Sequence, residues 1–145
     1  MSALYERTVI PVDGSKLAEM AIDAVYPIVR AQHGALTLVM VLDGHVDHAL
    51  GDYAEAEGIS VMEAAESYLD GLDKDLSNRG VETTSRLVFD PVAASGILDV
   101  ADAVDATALV IASHGRSGVG RWVMGSVAQK IVQAAKLPTL VIPAR

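Results

Sequence analysis

Hydrophobic and polar residues follow two different spacings in the first third of the chain. Residues 8–12 form a short, largely β-branched run that predicts a strand, and the polar residues 13–15 after it predict a turn and a helix cap. In Lys16–Ala31, apolar residues recur at intervals of three and four, which is the spacing of an amphipathic helix. Ala35–Leu42 is almost continuously apolar, as expected of a strand covered on both faces of a parallel sheet. The chain is therefore predicted to begin as strand, helix, strand.

Strands and helices continue to alternate through the rest of the chain. Ser60, followed by Glu63 three residues later, has the pattern of a capping box, and Pro91 is suited to open a helix. The elements predicted after residue 58 are helix 60–78, strand 81–89, helix 91–104, strand 108–112, helix 126–135 and strand 138–142. Residues 43–58 are polar and interrupted by glycines, so a loop is predicted there.

This alternation predicts one α/β domain spanning residues 1–145, a doubly wound fold of five parallel strands with helices on both faces of the sheet. No internal repeat or domain linker interrupts the pattern. The last strand is apolar and comes last in the winding, so we expect it at an edge of the sheet, where strands can pair with another chain.

Composition narrows the chemistry that is possible. The 145 residues include no cysteine, which excludes disulfides, thiolate nucleophiles and cysteine-based metal sites. The formal net charge of −8 argues against binding to the phosphate backbone of a nucleic acid. The sequence shows neither a signal-peptide core nor an apolar run long enough for a membrane span, so we expect a cytoplasmic protein without membrane partners.

Charge is unevenly distributed along the chain. All 19 acidic residues precede position 112, whereas residues 113–145 contain basic residues and no acid. The basic residues in that stretch are Arg116, Arg121, Lys130, Lys136 and Arg145. This distribution favours an anion near the C-terminal part of the chain, with a chance clustering of solvated charges as the alternative.

The loop after the fourth predicted strand is the strongest candidate for ligand binding. Three glycines, Gly115, Gly118 and Gly120, let backbone N–H groups converge, and the helix that starts near Ser126 adds unpaired donors. Ligands of open α/β sheets bind at the carboxyl ends of strands, so a phosphate is the expected ligand. Ordinary turns with a helix cap, to which the hydroxyl of Ser126 could contribute, remain the alternative. The spacing fits neither the Walker nor the Rossmann pattern.

The loop and the start of the following helix resemble the universal stress protein family, in particular its nucleotide-binding branch. Gly115, nine further residues, and then Gly125 and Ser126 follow that branch's motif, although its first glycine is replaced by Ala112. The segments 10–15, 39–41 and 137–142 also match, so the resemblance spans the chain.

The resemblance implies strand order 3-2-1-4-5 and an ATP-binding regulatory protein of the stress response, with the nucleotide between the first and fourth strands. Asp13 would contact the ribose, the backbone around Val41 would read the adenine, and a divalent metal, Mg²⁺ or Mn²⁺, could bridge the phosphates. A homodimer through the last strand is implied as well. The residues implied in the site are Pro11, Val12, Asp13, Val41, Ala112, Ser113, His114, Gly115, Arg116, Ser117, Gly118, Gly125, Ser126 and Val127.

Several other interpretations of the same residues remain open. Asp13 could simply cap the first helix, and with Asp90 it gives a weak likeness to phospho-acceptor receiver domains. His114 is the one candidate base for a slow hydrolase. The cluster Asp43, His45, Asp47 and His48 could bind a metal, although a solvated loop explains it more simply. An interaction protein of the same fold that binds no nucleotide is the main alternative function.

Overall fold

The computed structural model describes residues 3–44, 48–113 and 124–143, which contain five strands and five helices. The strands are β1 (Arg7–Pro11), β2 (Ala35–Leu42), β3 (Glu82–Phe89), β4 (Ala108–Ala112) and β5 (Thr139–Ile142). The helices are α1 (Lys16–Ala31), α2 (His48–Glu57), α3 (Val61–Asn78), α4 (Ala93–Ala103) and α5 (Ser126–Ala134). Every strand pair is parallel and the order is β3-β2-β1-β4-β5, which confirms the doubly wound fold and the strand order 3-2-1-4-5.

The sheet divides the core into two layers because successive side chains of a strand point to opposite faces. In β1, Ile10 joins the cluster beneath α1 and α3, whereas the adjacent Val9 joins the cluster beneath α4. Neighbouring residues of β2, Leu38 and Val39, divide in the same way. Burial on both faces explains why these strands are nearly continuous apolar runs.

Two serines begin the helices on one side of the sheet, as the sequence predicts. The hydroxyl of Ser15 accepts a hydrogen bond from the N–H of Ala18 at the start of α1. At the start of α3, Ser60 and Glu63 form a reciprocal capping box, with distances of 3.1 Å to the Ser60 hydroxyl and 2.8 Å to the Glu63 carboxylate. These bonds satisfy N–H groups that have no partner within the helix.

The predicted loop at 43–58 is wrong over most of its length, because His48–Glu57 is the helix α2. Ala54 is buried where α2 packs on α3. The alanines and glutamates of α2 are good helix formers, but with Gly51 and the polar residues among them the segment has no regular apolar spacing. Tertiary packing against α3 therefore decides the conformation.

Helix α4 begins later than the sequence suggests. Pro91 does not open it: the carboxylate of Asp90 accepts a 2.8 Å hydrogen bond from the N–H of Val92, which closes a turn between β3 and the helix. Val92 is the extended residue before the first turn, so the helix proper starts at Ala93.

The two edges of the sheet are β3 and β5, which confirms the expected position of the last strand. Leu140 of β5 is 38% exposed. None of the helices in the described ranges has the length and apolar character that a membrane crossing requires.

Candidate functional site

A cleft of about 260 Å³ lies at the carboxyl ends of β1, β2 and β4. This is the position at which the winding of the sheet reverses, where open α/β sheets leave a crevice. Its lining residues are Pro11, Val12, Asp13, Ala18, Val39, Val41, Ala93, Ile97, Ala112, Gly125, Ser126, Val127 and Ala128. Only two of these, Asp13 and Ser126, have polar side chains, so the described lining has few groups for chemistry and much apolar surface for contact.

A tight turn presents Asp13 to the cleft. Its carboxylate accepts a 3.0 Å hydrogen bond from the N–H of Ser15, and Gly14 between them has a φ of +86°, which glycine adopts without strain. Ser15, and not Asp13, is the N-cap of α1, so the capping interpretation of Asp13 is wrong. The bond to Ser15 uses one carboxylate oxygen and orients the group at the end of β1.

The first turn of α5 forms the opposite wall. Gly125 is its N-cap and Ser126 is its first helical residue, so the suggested capping role of the Ser126 hydroxyl is wrong. Since Gly125 has no side chain, no side-chain bond from the described residues satisfies the first N–H groups of the helix. These N–H groups have a partial positive charge and suit an anion.

A glycine brings α4 close to the end of β2. A Cβ at Gly96 would lie 3.2 Å from a methyl group of Val41 and 3.2 Å from the Cβ of Asp90. The close approach allows Ala93 and Ile97, in the first turns of α4, to line the cleft beside Val41.

Eight predicted site residues meet at the cleft. The eight are Pro11, Val12, Asp13, Val41, Ala112, Gly125, Ser126 and Val127. Ser113, the residue after β4, is buried and is not a lining residue. The predicted residues His114, Gly115, Arg116, Ser117 and Gly118 lie outside the described residues.

Five lining residues were missed by sequence reasoning: Ala18, Val39, Ala93, Ile97 and Ala128. Val39 and Ala18 could have been found, because they belong to the strand end and the helix start that already supplied Val41 and Asp13. Ala93 and Ile97 follow β3, an edge strand, and only the return of α4 across the sheet brings them to the cleft.

No group of three or more potential metal ligands occurs among the described side chains. His45 and Asp47 of the candidate metal cluster lie outside the described residues.

The fold and sequence are similar to those of known proteins over nearly the whole chain. A putative universal stress protein of Staphylococcus aureus strain USA300 is 27% identical over 139 residues, covering 95% of this chain and 84% of that protein. The structure of the hypothetical protein MJ0577 superposes with a TM-score of 0.82 at 20% identity and 99% coverage of both chains.

Two further similar structures contain nucleotides. A universal stress protein from Archaeoglobus fulgidus in complex with dAMP has a TM-score of 0.68 at 23% identity, covering 97% of this chain and 99% of that one. A universal stress protein in complex with cAMP has a TM-score of 0.70 at 19% identity, covering 99% and 100%.

One family model matches almost the whole chain. The model that matches is that of the universal stress protein family, over residues 4–143. The chain therefore belongs to the universal stress protein family.

Proposed function

We propose that the chain binds an adenine nucleotide, ATP, in the cleft and acts as a regulatory module of the cytoplasmic stress response. The observation that carries the proposal is the arrangement of three surfaces around one cavity. An apolar floor lies at the ends of β1 and β2, the carboxylate of Asp13 lies at one side, and the start of α5 lies at the other.

Each part of a nucleotide has a chemically matched surface in the cleft. The base would lie against Pro11, Val12 and Val41, with the backbone near Val41 reading the adenine edge. The ribose hydroxyls would donate to the carboxylate oxygen of Asp13 that Ser15 does not use. Hydroxyl donation to a carboxylate is a charge-assisted hydrogen bond.

The phosphates would lie at the start of α5. The N–H groups of Ser126 and Val127 and the hydroxyl of Ser126 are the donors there. The segment 112–118, which includes His114, Gly115, Arg116, Ser117 and Gly118, would complete the phosphate site, with Mg²⁺ or Mn²⁺ bridging phosphate oxygens. The dAMP and cAMP complexes of similar proteins support an adenine nucleotide as the ligand class.

We propose a regulatory role rather than an enzymatic one. Of the two polar side chains in the described lining, Asp13 is positioned for a sugar and Ser126 for a phosphate. His114, the one candidate base, lies outside the described residues. Any hydrolysis would be slow and would depend on positioning and metal charge.

Isothermal titration calorimetry with ATP, ADP and AMP in the presence of Mg²⁺ tests the proposal. We expect micromolar binding of ATP, and mass spectrometry of the freshly purified, denatured protein should detect an adenine nucleotide. Absence of heat with all three nucleotides, together with absence of released ligand, would overturn nucleotide binding. That result would favour the alternative function, in which the chain is an interaction protein of the same fold and binds no nucleotide.

We further propose that the chain forms a homodimer through β5. This strand lies at an edge of the sheet, so one row of its backbone groups has no strand partner among the described residues. Apolar surface for a second copy is provided by two exposed side chains. These are Leu140 on the same strand and Val132 of α5, which is 46% exposed.

A further inference from the structure

The edge strand β3 has a row of backbone groups that no strand in the described ranges pairs. All eight of its residues pair with β2 on one side. The N–H of Asp90 donates to the carbonyl oxygen of Leu42 at 3.2 Å, and in a parallel pair the backbone groups of alternate residues face the same neighbour. The even-numbered residues of β3 therefore face β2. The residues whose N–H and C=O groups face the open edge are Thr83, Ser85, Leu87 and Phe89.

Helix α3 carries negative charge beside this edge. The hydroxyl of Ser85 donates a 2.8 Å hydrogen bond to the carboxylate of Asp73, which places that side of α3 next to β3. Glu66, seven residues before Asp73, and Asp70, three residues before it, lie on the same side of the helix, and both are exposed. Among the described side chains, none of these three acids forms an ion pair. The β3 edge is therefore acidic on the face that α3 covers.

The charge of this edge selects its occupant. A second copy of the chain, paired edge to edge, would bring the same acidic side chains against each other, because each copy carries them beside its own β3. Like charges that meet across an interface oppose binding. An extended segment with lysine or arginine on that face would instead have complementary charge. Open sheet edges bind such segments by strand addition, in which backbone hydrogen bonds supply affinity and alternate side chains supply specificity.

We propose that the open edge of β3 binds an extended basic segment of a partner protein. Successive side chains of a strand point to opposite faces, so every second residue of the segment lies on the α3 face. A lysine or arginine there meets Glu66 and Asp70. At the carboxyl end of the strand, Phe89 is 65% exposed and offers contact to an apolar residue of the segment. The proposal is independent of nucleotide binding in the cleft and of the β5 dimer.

Titration of ¹⁵N-labelled protein with an acetylated, amidated octapeptide of alternating lysine and threonine, followed by NMR, tests the proposal. We expect saturable shifts of the N–H signals of Thr83, Ser85 and Leu87, with a dissociation constant on the order of 100 μM, as for other small interfaces. The same peptide with every backbone nitrogen methylated keeps its charges but cannot donate to β3, so it should bind at least about tenfold more weakly. The peptide with glutamate in place of lysine should cause no saturable shifts.

Two double variants provide a matched control. Glu66→Gln with Asp70→Asn removes two charges beside β3 and should weaken binding of the lysine peptide by about fivefold or more. Asp99→Asn with Asp102→Asn removes two exposed charges from α4, on the opposite face of the sheet, and should bind as the wild type does. A well-dispersed spectrum verifies that each variant is folded.

The proposal is overturned if the lysine peptide causes no saturable shifts, if the methylated peptide binds equally well, or if the two double variants bind alike. Shifts confined to α4 would also overturn it. Shifts at the β3 edge that appear when the labelled protein alone is concentrated would identify a second copy as the occupant, contrary to the proposal.

Discussion

The N–H of Gly125 donates a 2.6 Å hydrogen bond to the carbonyl oxygen of Ser113. This bond joins the residue after β4 to the N-cap of α5, although the two are twelve positions apart in sequence. Ser113 is itself tied to the sheet, since its N–H donates to the carbonyl oxygen of Ile142 at 2.8 Å. The start of α5, and with it the proposed phosphate site, is thereby held at the end of β4.

Introducing a negative charge at the start of α5 should abolish nucleotide binding. In Ser126→Glu, the added carboxylate would occupy the wall of the cleft where the phosphates are proposed to lie, and like charges repel strongly in a partly desolvated site. We expect ATP affinity measured by calorimetry to fall by a factor of about 100 or more. The control is Ser77→Glu, at an exposed position of α3. This variant should bind ATP as the wild type does. Equal affinities in the two variants would place the phosphates elsewhere.

A charge on the β5 edge should disrupt the proposed dimer. Leu140→Lys places an ammonium group where the second copy would pack, and charged residues on edge strands oppose strand pairing. Sedimentation equilibrium should show a monomer for this variant and a dimer for the wild type. Met62→Lys, at a similarly exposed position of α3, should remain dimeric. If the wild type sediments as a monomer, or if Leu140→Lys stays dimeric, the β5 interface is wrong.

Gly34→Ala should be strongly destabilising. A Cβ at Gly34 would overlap the carbonyl oxygen of Tyr5 and lie 3.0 Å from that of Glu6, and backbone atoms cannot move aside easily. We expect the free energy of unfolding to fall by about 2–3 kcal/mol in urea denaturation.

Replacement of a second glycine, Gly71, should change the stability in the opposite direction. Gly71→Ala, inside α3 with no atom within 4 Å of the added Cβ, should stabilise the protein by about 0.5–1 kcal/mol, because alanine is the better helix former. A neutral result at Gly34 would mean that the approach of residues 5 and 6 is looser than the structure shows.

The capping box at α3 should make stability depend on pH. Hydrogen bonds from the backbone and then the side chain of Ser60 lower the pKa of Glu63, although the carboxylate is exposed. A carboxylate whose pKa is lowered by folding stabilises the protein above its unfolded pKa, and this contribution is lost as the pH falls through the lower, folded value. The stability difference between the wild type and Glu63→Gln, measured by thermal denaturation, should therefore shrink on acidification below the ordinary range of a glutamate. A difference that is constant with pH would contradict the capping role of the charge.

The sequence predicts best those elements whose spacing of apolar residues corresponds to the faces that they bury. The bounds of α1 and β2 match the prediction, because an amphipathic spacing and a doubly covered apolar run are each distinctive. Ser60 and Glu63 mark the start of α3 in the same way. Helix α2 shows the limit: its ten residues have little apolar periodicity, and only packing of Ala54 against α3 makes the helix evident.

The amino-acid sequence by itself determined the alternation of strands and helices, the glycine at the start of α5 and the acid at the end of β1, because these depend on neighbouring residues. Tertiary structure decided which of them meet. Ala93 and Ile97 line the cleft only because α4 crosses back over the sheet. Contacts between residues far apart in the chain depend on the packing of whole elements, which no local pattern encodes.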